Sequence, residues 1–172
     1  MALGNALRDI NGVAAPYQYN GSPVLTDAKY NSCWNFTCTA VPAAFTGGTP
    51  STRGAFATTP TTTLFTVTGV NLVKVFGICT VALAGATATV EVGVAGQTAG
   101  IIAQTTATNL AAGENWNDAS PDTLTEVSSA ITEKIVRGNI IETIATANIT
   151  SGQMFYVCAW FPLTADALVL GS

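Results

Sequence analysis

The chain has 172 residues, of which only 9% are charged, and six Lys and Arg against ten Asp and Glu leave a net charge of −4. This length suits one domain with one core. The six basic residues are scattered singly along the chain, so no basic patch could neutralise a phosphate backbone, and nucleic acid is not an expected partner.

Threonine takes the place of charge as the main polar component, as in the run Ala57–Thr68. Threonine is β-branched, so it favours strands while it hydrates their surface. The composition therefore predicts an all-β protein.

Neither a membrane span nor a secretory signal is expected. The longest apolar stretch, Met154–Leu163, has ten residues and contains a proline, whereas a membrane helix needs about 20. The first residues lack a basic region followed by an apolar core. We expect the protein to be made and kept in a cytoplasm.

Residues 1–60 are predicted to form an extended, loop-rich N-terminal arm. Five of the seven prolines lie there, in company with turn formers. Aromatic residues also occur throughout it, which disordered segments lack. They are Tyr17, Tyr19, Tyr30, Trp34, Phe36, Phe45 and Phe56. We expect the arm to lie on a surface, either that of its own core or that of a neighbouring subunit.

Residues 61–172 are predicted to form a β-sandwich, beginning with the strand Leu64–Thr68 and a turn at Gly69. The next strand, Leu72–Leu83, is apolar on both faces and is expected to be buried on both. Its predicted faces are Val73, Val75, Cys79, Val81 and Leu83 on one side and Leu72, Phe76 and Ile78 on the other.

A half-exposed strand is predicted around residues 88–94. There Ala88, Val90, Val92 and Val94 alternate with Thr87, Thr89, Glu91 and Gly93. Gly85 and Gly96 are expected to form the turns on either side, and another short strand is expected from Gly100.

Residues 120–145 allow two interpretations. With Ser120 as N-cap and Pro121 in the first turn, apolar residues at helical spacing predict a helix that ends at Gly138. Alternatively, Ile131–Val136 pairs with Ile140–Ala145 in a hairpin across residues 137–139. The isoleucine and threonine content of both segments favours the hairpin.

The closing segment Phe155–Val169 is predicted to be a strand covered on both faces. One face should belong to the core and the other should meet the arm or a neighbouring subunit. The outward face carries either Phe155, Val157 and Phe161 or Tyr156, Cys158 and Trp160. About eight short strands in all predict an all-β, β-sandwich or jelly-roll-like domain with little helix.

No catalytic constellation emerges, and we expect neither an enzyme nor a cofactor. Histidine, the commonest general base, is absent. Glu114, Asp118 and Asp122 surround Trp116 in a turn-rich segment that could bind a sugar or calcium, but its spacing does not match a calcium loop and turn composition favours a solvated acidic loop.

The four cysteines do not predict a metal site, because only Cys33 and Cys38 are closely spaced. We expect buried free thiols, especially at Cys79 and Cys158, which lie in apolar strand-like runs. A Cys33–Cys38 disulfide is not required in a cytoplasm.

The segment from Leu64 to Val169 resembles small virion structural proteins of tailed bacteriophages. The resemblance lies in LFTVTGVNLVKVFGICTVAL, the alternating ATATVEVGV, a loop with Asn115, Trp116 and Asp118, and the closing ANITSGQMFYVCAWFPLTADALV. Phe161 stands where that family usually carries a basic residue.

The resemblance implies a capsid decoration, or cement, protein that forms homotrimers on the outside of the shell. Its partners would be itself and the major capsid protein, and its location the virion surface. The expected interface residues are Tyr17, Tyr19, Trp34, Phe36, Phe155, Tyr156, Trp160 and Phe161. A tail or baseplate component and a sugar-binding β-sandwich remain alternatives.

Overall fold

A computed structural model describes residues 18–19, 22–23, 34–39, 44–48, 52–56, 62–123 and 132–172. The chain divides into two compact units, residues 1–34 and 35–172. In the first unit β1 (Gln18–Tyr19) pairs antiparallel with β2 (Ser22–Pro23). Most of the predicted arm, including Tyr17 and Cys33, lies outside the described residues.

The second unit is built from ten strands among the described residues, all paired antiparallel. These are β3 (Asn35–Cys38), β4 (Thr62–Thr68), β5 (Asn71–Ala84), β6 (Thr89–Val94), β7 (Gln97–Thr106), β8 (Asn115–Trp116), β9 (Lys134–Val136), β10 (Ile140–Ala145), β11 (Ser151–Pro162) and β12 (Leu168–Gly171). One turn of 3₁₀-helix, Ala107–Asn109, follows β7.

The strands form two sheets that enclose one apolar core. Sheet I has the order β12-β4-β10-β6-β7, and sheet II has the order β3-β11-β5-β8, with β9 also paired to β5. Both contribute to the core, with Phe65, Val92 and Ile140 from sheet I and Val75, Met154 and Cys158 from sheet II. The predicted all-β sandwich is confirmed.

The long strand β5 has one buried face, but its predicted pattern fails at Val81. Residues 73, 75 and 79 are buried as predicted, whereas Val81 is 51% exposed. The register with β11 shifts on either side of the Gln153–Val81 pair. An extra residue reverses the face to which a side chain points, so the prediction for Val81 was wrong. Leu72, Phe76 and Ile78 are half-buried rather than buried.

The alternation in β6 is confirmed on its inward face, where Ala88, Val90 and Val92 have no exposed surface. The opposite face is more covered than predicted, since Glu91 is only 9% exposed. Glu91 lies beside Thr143 of β10 and accepts a 3.0 Å hydrogen bond from Gln104 of β7. Its neighbours on both sides shield it because β6 is an interior strand of sheet I.

The predicted hairpin between residues 131–136 and 140–145 is wrong. The strand β9 pairs with β5 in sheet II, whereas β10 pairs with β4 and β6 in sheet I. The turn at residues 137–139 therefore carries the chain from one sheet to the other. Residues 132–138 are not helical either, and residues 124–131 of the helical alternative lie outside the described part.

The sandwich includes residues from before position 61. The strand β3 pairs with β11, and the segments 44–48 and 52–56 attach to the loop that precedes β11. The amide of Gly47 donates to the carbonyl of Ile149, and the amide of Ile149 donates to the carbonyl of Gly54. This part of the predicted arm is thus integral to the fold.

Candidate interaction surface

The two outer faces of the sandwich differ in chemistry. On sheet I the outward residues are mainly polar, namely Thr63, Thr66, Thr68, Thr89, Glu91, Gln104 and Thr143. Leu168 and Leu170, on the edge strand β12, are exposed apolar residues of this face. A threonine-rich strand surface suits contact with water while it retains β-propensity.

The outer face of sheet II is apolar across its strands. Its register brings side chains of β3, β11, β5, β9 and β8 onto one side. They are Phe36, Cys38, Phe155, Val157, Ala159, Phe161, Leu72, Lys74, Phe76, Ile78, Ile135 and Asn115. Only Lys74 and Asn115 among them are polar. We call this set the apolar face.

Exposure on the apolar face is greatest at two of its edges. Phe36 on β3 is 70% exposed and Ile135 on β9 is 66% exposed, whereas Phe155, Val157 and Phe161 on the central strand β11 are half-buried. Contiguous apolar surface of this kind marks a site of interaction.

The register of β11 decides between the two predicted outward sets. Phe155, Val157 and Phe161 point outward, whereas Tyr156 and Cys158 have no exposed surface and belong to the core. Tyr156 is therefore a core residue rather than a surface contact. Trp160 lies on the inward side and is partly buried against the core.

The other predicted interface residues are less informative. Trp34 is half-buried and belongs to the first unit. Tyr19 lies on β1 of the first unit, and Tyr17 lies outside the described residues.

Beside its backbone pairing with β11, the edge strand β3 is held by the side chain of Thr37. The indole nitrogen of Trp160 donates to Thr37 Oγ1 at 3.0 Å, and Thr37 Oγ1 donates to the carbonyl of Val169 at 3.1 Å. Thr37 thus connects β11 of sheet II with β12 of sheet I through one hydroxyl. Phe36, the neighbour of Thr37 on β3, lies opposite Ala159 of β11 at the rim of the apolar face.

A buried charged cluster links both sheets to the segment 52–56. Glu142 points into the sandwich from β10 and is 1% exposed. Arg53 reaches it with Nε at 3.0 Å and with Nη2 at 2.7 Å, and the hydroxyl of Tyr156 donates to Oε2 at 2.6 Å. The guanidinium also lies 4.2 Å from the ring centroid of Phe45. Every charge in this cluster has an opposite charge or a hydrogen-bonding partner.

Burial and mutual contact in the cluster change the pKa values of Arg53 and Tyr156. Burial alone would lower the pKa of Arg53, but the charge of Glu142 and the hydrogen bonds to it more than offset that effect and raise the pKa. Burial, reinforced by the charge of Glu142, raises the pKa of Tyr156 well above its ordinary value. Tyr156 therefore remains a hydrogen-bond donor across the physiological range.

Nothing in the sequence had indicated this cluster. Arg53 and Glu142 are 89 positions apart. Glu142 lies in a strand-like run of Ile and Thr, and the two-residue period of a strand places its side chain on the inward face. A glutamate is usually exposed, however, so its residue type predicts a side chain that faces solvent.

The acidic loop offers no aromatic platform. Trp116 has no exposed surface and packs beside Tyr156, with ring centroids 6.3 Å apart. In the sheet register it lies opposite Gly77, where a Cβ would meet Met154 and Tyr156. The loop is held by Thr123, which donates to Glu114, and by Asp118, which accepts from the Ser120 amide. Within the described residues no three Cys, Asp or Glu side chains are grouped as metal ligands.

Cys79 and Cys158 are buried free thiols, as predicted, and Cys38 is a free thiol exposed on the apolar face. Burial raises the pKa of Cys79 to about 11 and that of Cys158 to about 12. These two thiols are protonated and shielded at neutral pH.

Among the helices of the described residues, none has the length and apolarity to cross a membrane. Comparison with protein-family models, with curated proteins and with solved structures finds no significant match for this chain.

Proposed function

We propose that this protein is a viral structural protein, a capsid decoration or cement protein that binds the outside of a tailed-phage capsid as a homotrimer and stabilises the shell. The observation that carries the proposal is the contrast between the threonine-rich outer face of sheet I and the apolar face of sheet II. A sandwich with one hydrated and one apolar outer face is suited to packing against other proteins.

The buried charged cluster of Arg53, Glu142 and Tyr156 supports a structural role. The buried Arg53, Glu142 and Tyr156 are fully engaged with one another, so their bonding holds elements together. The low proportion of charged residues also fits a protein whose surface is largely in contact with other subunits in an assembly. The major capsid protein and other copies of this chain are the partners of this proposal.

Co-sedimentation tests the proposal directly. Purified protein is mixed with phage shells that lack it, and the pellet is analysed together with the temperature at which the shells release DNA. We expect saturable binding and a higher release temperature. A protein that stays in the supernatant at high concentration, with shell stability unchanged, would refute the proposal.

The position of the protein on the phage particle distinguishes a capsid decoration protein from a tail or baseplate component. Antibody-gold labelling of intact particles should mark heads, and label confined to tails would favour the alternative. The sugar-binding alternative loses its main candidate contact, because the Trp116 ring is buried.

A further inference from the structure

We propose that the apolar face of sheet II is the permanent contact between copies of this chain, and that it is occupied before the protein meets the shell. The inference rests on the proposed function in one respect, namely that a decoration protein must stay soluble until assembly. An apolar surface left open in that period would promote aggregation.

The composition of the face indicates a contact between copies rather than a temporary docking site. Temporary interfaces are about as polar as the rest of a protein surface, whereas the contacts of obligate homo-oligomers resemble a domain core. Apart from Lys74 and Asn115, this face consists of aromatic and aliphatic side chains and one thiol. Four of them are phenylalanines, at positions 36, 76, 155 and 161.

The charge of the apolar face also favours another copy of this chain as the protein that covers it. Lys74 is the charged residue of the face, and its Nζ lies 3.2 Å from Oε1 of Glu133. The positive charge is thereby compensated within the chain. Copies grouped about a three-fold axis can therefore meet along this face without repulsion between like charges, although the chain as a whole carries −4.

The size of the face is adequate for one part of a subunit contact. The long strands β11 and β5 have 12 and 14 residues, and β3, β8 and β9 add four, two and three. At 3.3 Å per residue along a strand and about 4.8 Å between strands, the face covers roughly 550 Å². A stable interface buries about 800 Å² on each partner. The loops around the face must therefore contribute to the contact between copies as well.

The test uses the full chain and two matched double variants. Phe36→Asp with Ile135→Asp places charges at the two most exposed positions of the apolar face, where side chains are 70% and 66% exposed. Leu168→Asp with Leu170→Asp does the same on the opposite outer face, at positions 42% and 53% exposed. Analytical ultracentrifugation gives the mass, and circular dichroism with thermal unfolding establishes that each variant is folded.

We expect the wild type and the Leu168/Leu170 variant to sediment as multiples of the 17.6 kDa chain, and the Phe36/Ile135 variant to sediment as a folded monomer. If that variant does not fold, Phe36→Ser with Ile135→Ser replaces it. A monomeric wild type, or a face variant that keeps the oligomeric mass, overturns the inference.

Labelling of Cys38 identifies what covers the face. In a Cys33→Ser background Cys38 is the exposed thiol, because Cys79 and Cys158 are buried. We expect maleimide to react at least tenfold more slowly with the oligomer than with the monomeric face variant. A protected Cys38 in a monomeric wild type would assign the face to the chain's own residues 1–34 and overturn the inference. Oligomers that form through this face but do not bind shells would refute the proposed function alone, whereas monomers that bind shells would refute the inference alone.

Discussion

Arg53 and Glu142 form a two-point ion pair inside the sandwich, with Nη2 and Oε2 2.7 Å apart and side-chain exposures of 10% and 0%. The pair joins the segment 52–56, which precedes β4, to β10, the middle strand of sheet I. The hydroxyl of Tyr156, on β11 of sheet II, donates a hydrogen bond to the same carboxylate. Three parts of the chain thus meet at one carboxylate. Breaking such a pair on one side leaves a buried charge uncompensated.

Glu142→Gln should therefore lower the free energy of unfolding by about 3–5 kcal/mol, because Arg53 would keep its charge without a counter-ion. Urea unfolding followed by circular dichroism measures the loss. The matched control is Glu133→Gln, which removes the half-exposed partner of Lys74 and should cost about 0–1 kcal/mol. Equal losses in the two variants would show that the buried pair contributes no more than the surface pair.

Stability should decrease as the pH rises above 9. In the unfolded chain Cys79 and Cys158 lose their protons near pH 9.0, whereas in the folded protein their pKa values are about 11 and 12. The unfolded state then binds fewer protons than the folded state, so the free energy of unfolding falls with pH until the folded thiols also ionise. Tyr156 adds to this fall above its ordinary pKa of 10.0.

Urea midpoints at pH 8, 9, 10 and 11 measure this alkaline loss. Cys79→Ala with Cys158→Ala should make the decline shallower between pH 9 and 11, and Cys38→Ala, which removes a thiol outside the core, is the control. A decline of equal slope in all three proteins would contradict the assignment to the buried thiols.

Gly77→Ala should destabilise the core by about 1–3 kcal/mol. A Cβ at this position would lie 2.8 Å from Met154 Cε and 3.1 Å from Tyr156 Cε1. Gly138→Ala is the control, since a Cβ there would meet no heavy atom within 4 Å. Chemical unfolding of both variants measures the difference, and an unchanged Gly77→Ala protein would mean that Met154 can move aside without cost.

Thr37→Val should loosen β3 without disturbing the rest of the sandwich. The substitution keeps the side-chain shape but removes the hydroxyl that accepts from Trp160 and donates to Val169, at a cost of about 1–3 kcal/mol. Hydrogen exchange at residues 35–38 should accelerate. Thr66→Val, on the exposed face of β4, serves as the control and should leave exchange at β3 unaltered.

The elements that the sequence predicted well are those with a local signal. The alternation at residues 88–94 and the apolar run that begins at Phe155 need only the two-residue period of a strand to be recognised. The predicted single strand Phe155–Val169 was wrong in its extent, because β11 ends at Pro162 and Val169 lies on β12 of the other sheet. No local pattern in the sequence indicates which of the two sheets a strand joins. The segments around Ile135 and Ile141 look alike as strands, and which partner each one finds depends on distant segments, β5 and β4.

The same distinction applies to the candidate surface. An apolar β11 was evident from composition, but the choice between its two faces required the register with β5. Val81 was assigned to the wrong face because irregular pairing with β11 cannot be read from an unbroken apolar pattern. The contact of Arg53 with Glu142 required the fold itself.

A cryo-electron microscopy reconstruction of phage particles that carry this protein would show both where it binds and which of its faces meet a neighbouring copy. We expect density for this sandwich on the outside of the capsid in groups of three, with the apolar face of sheet II against a neighbouring copy and the threonine-rich face of sheet I turned away from that contact. Particles that carry the protein only on the tail, or that show isolated copies with sheet II facing solvent, would contradict it.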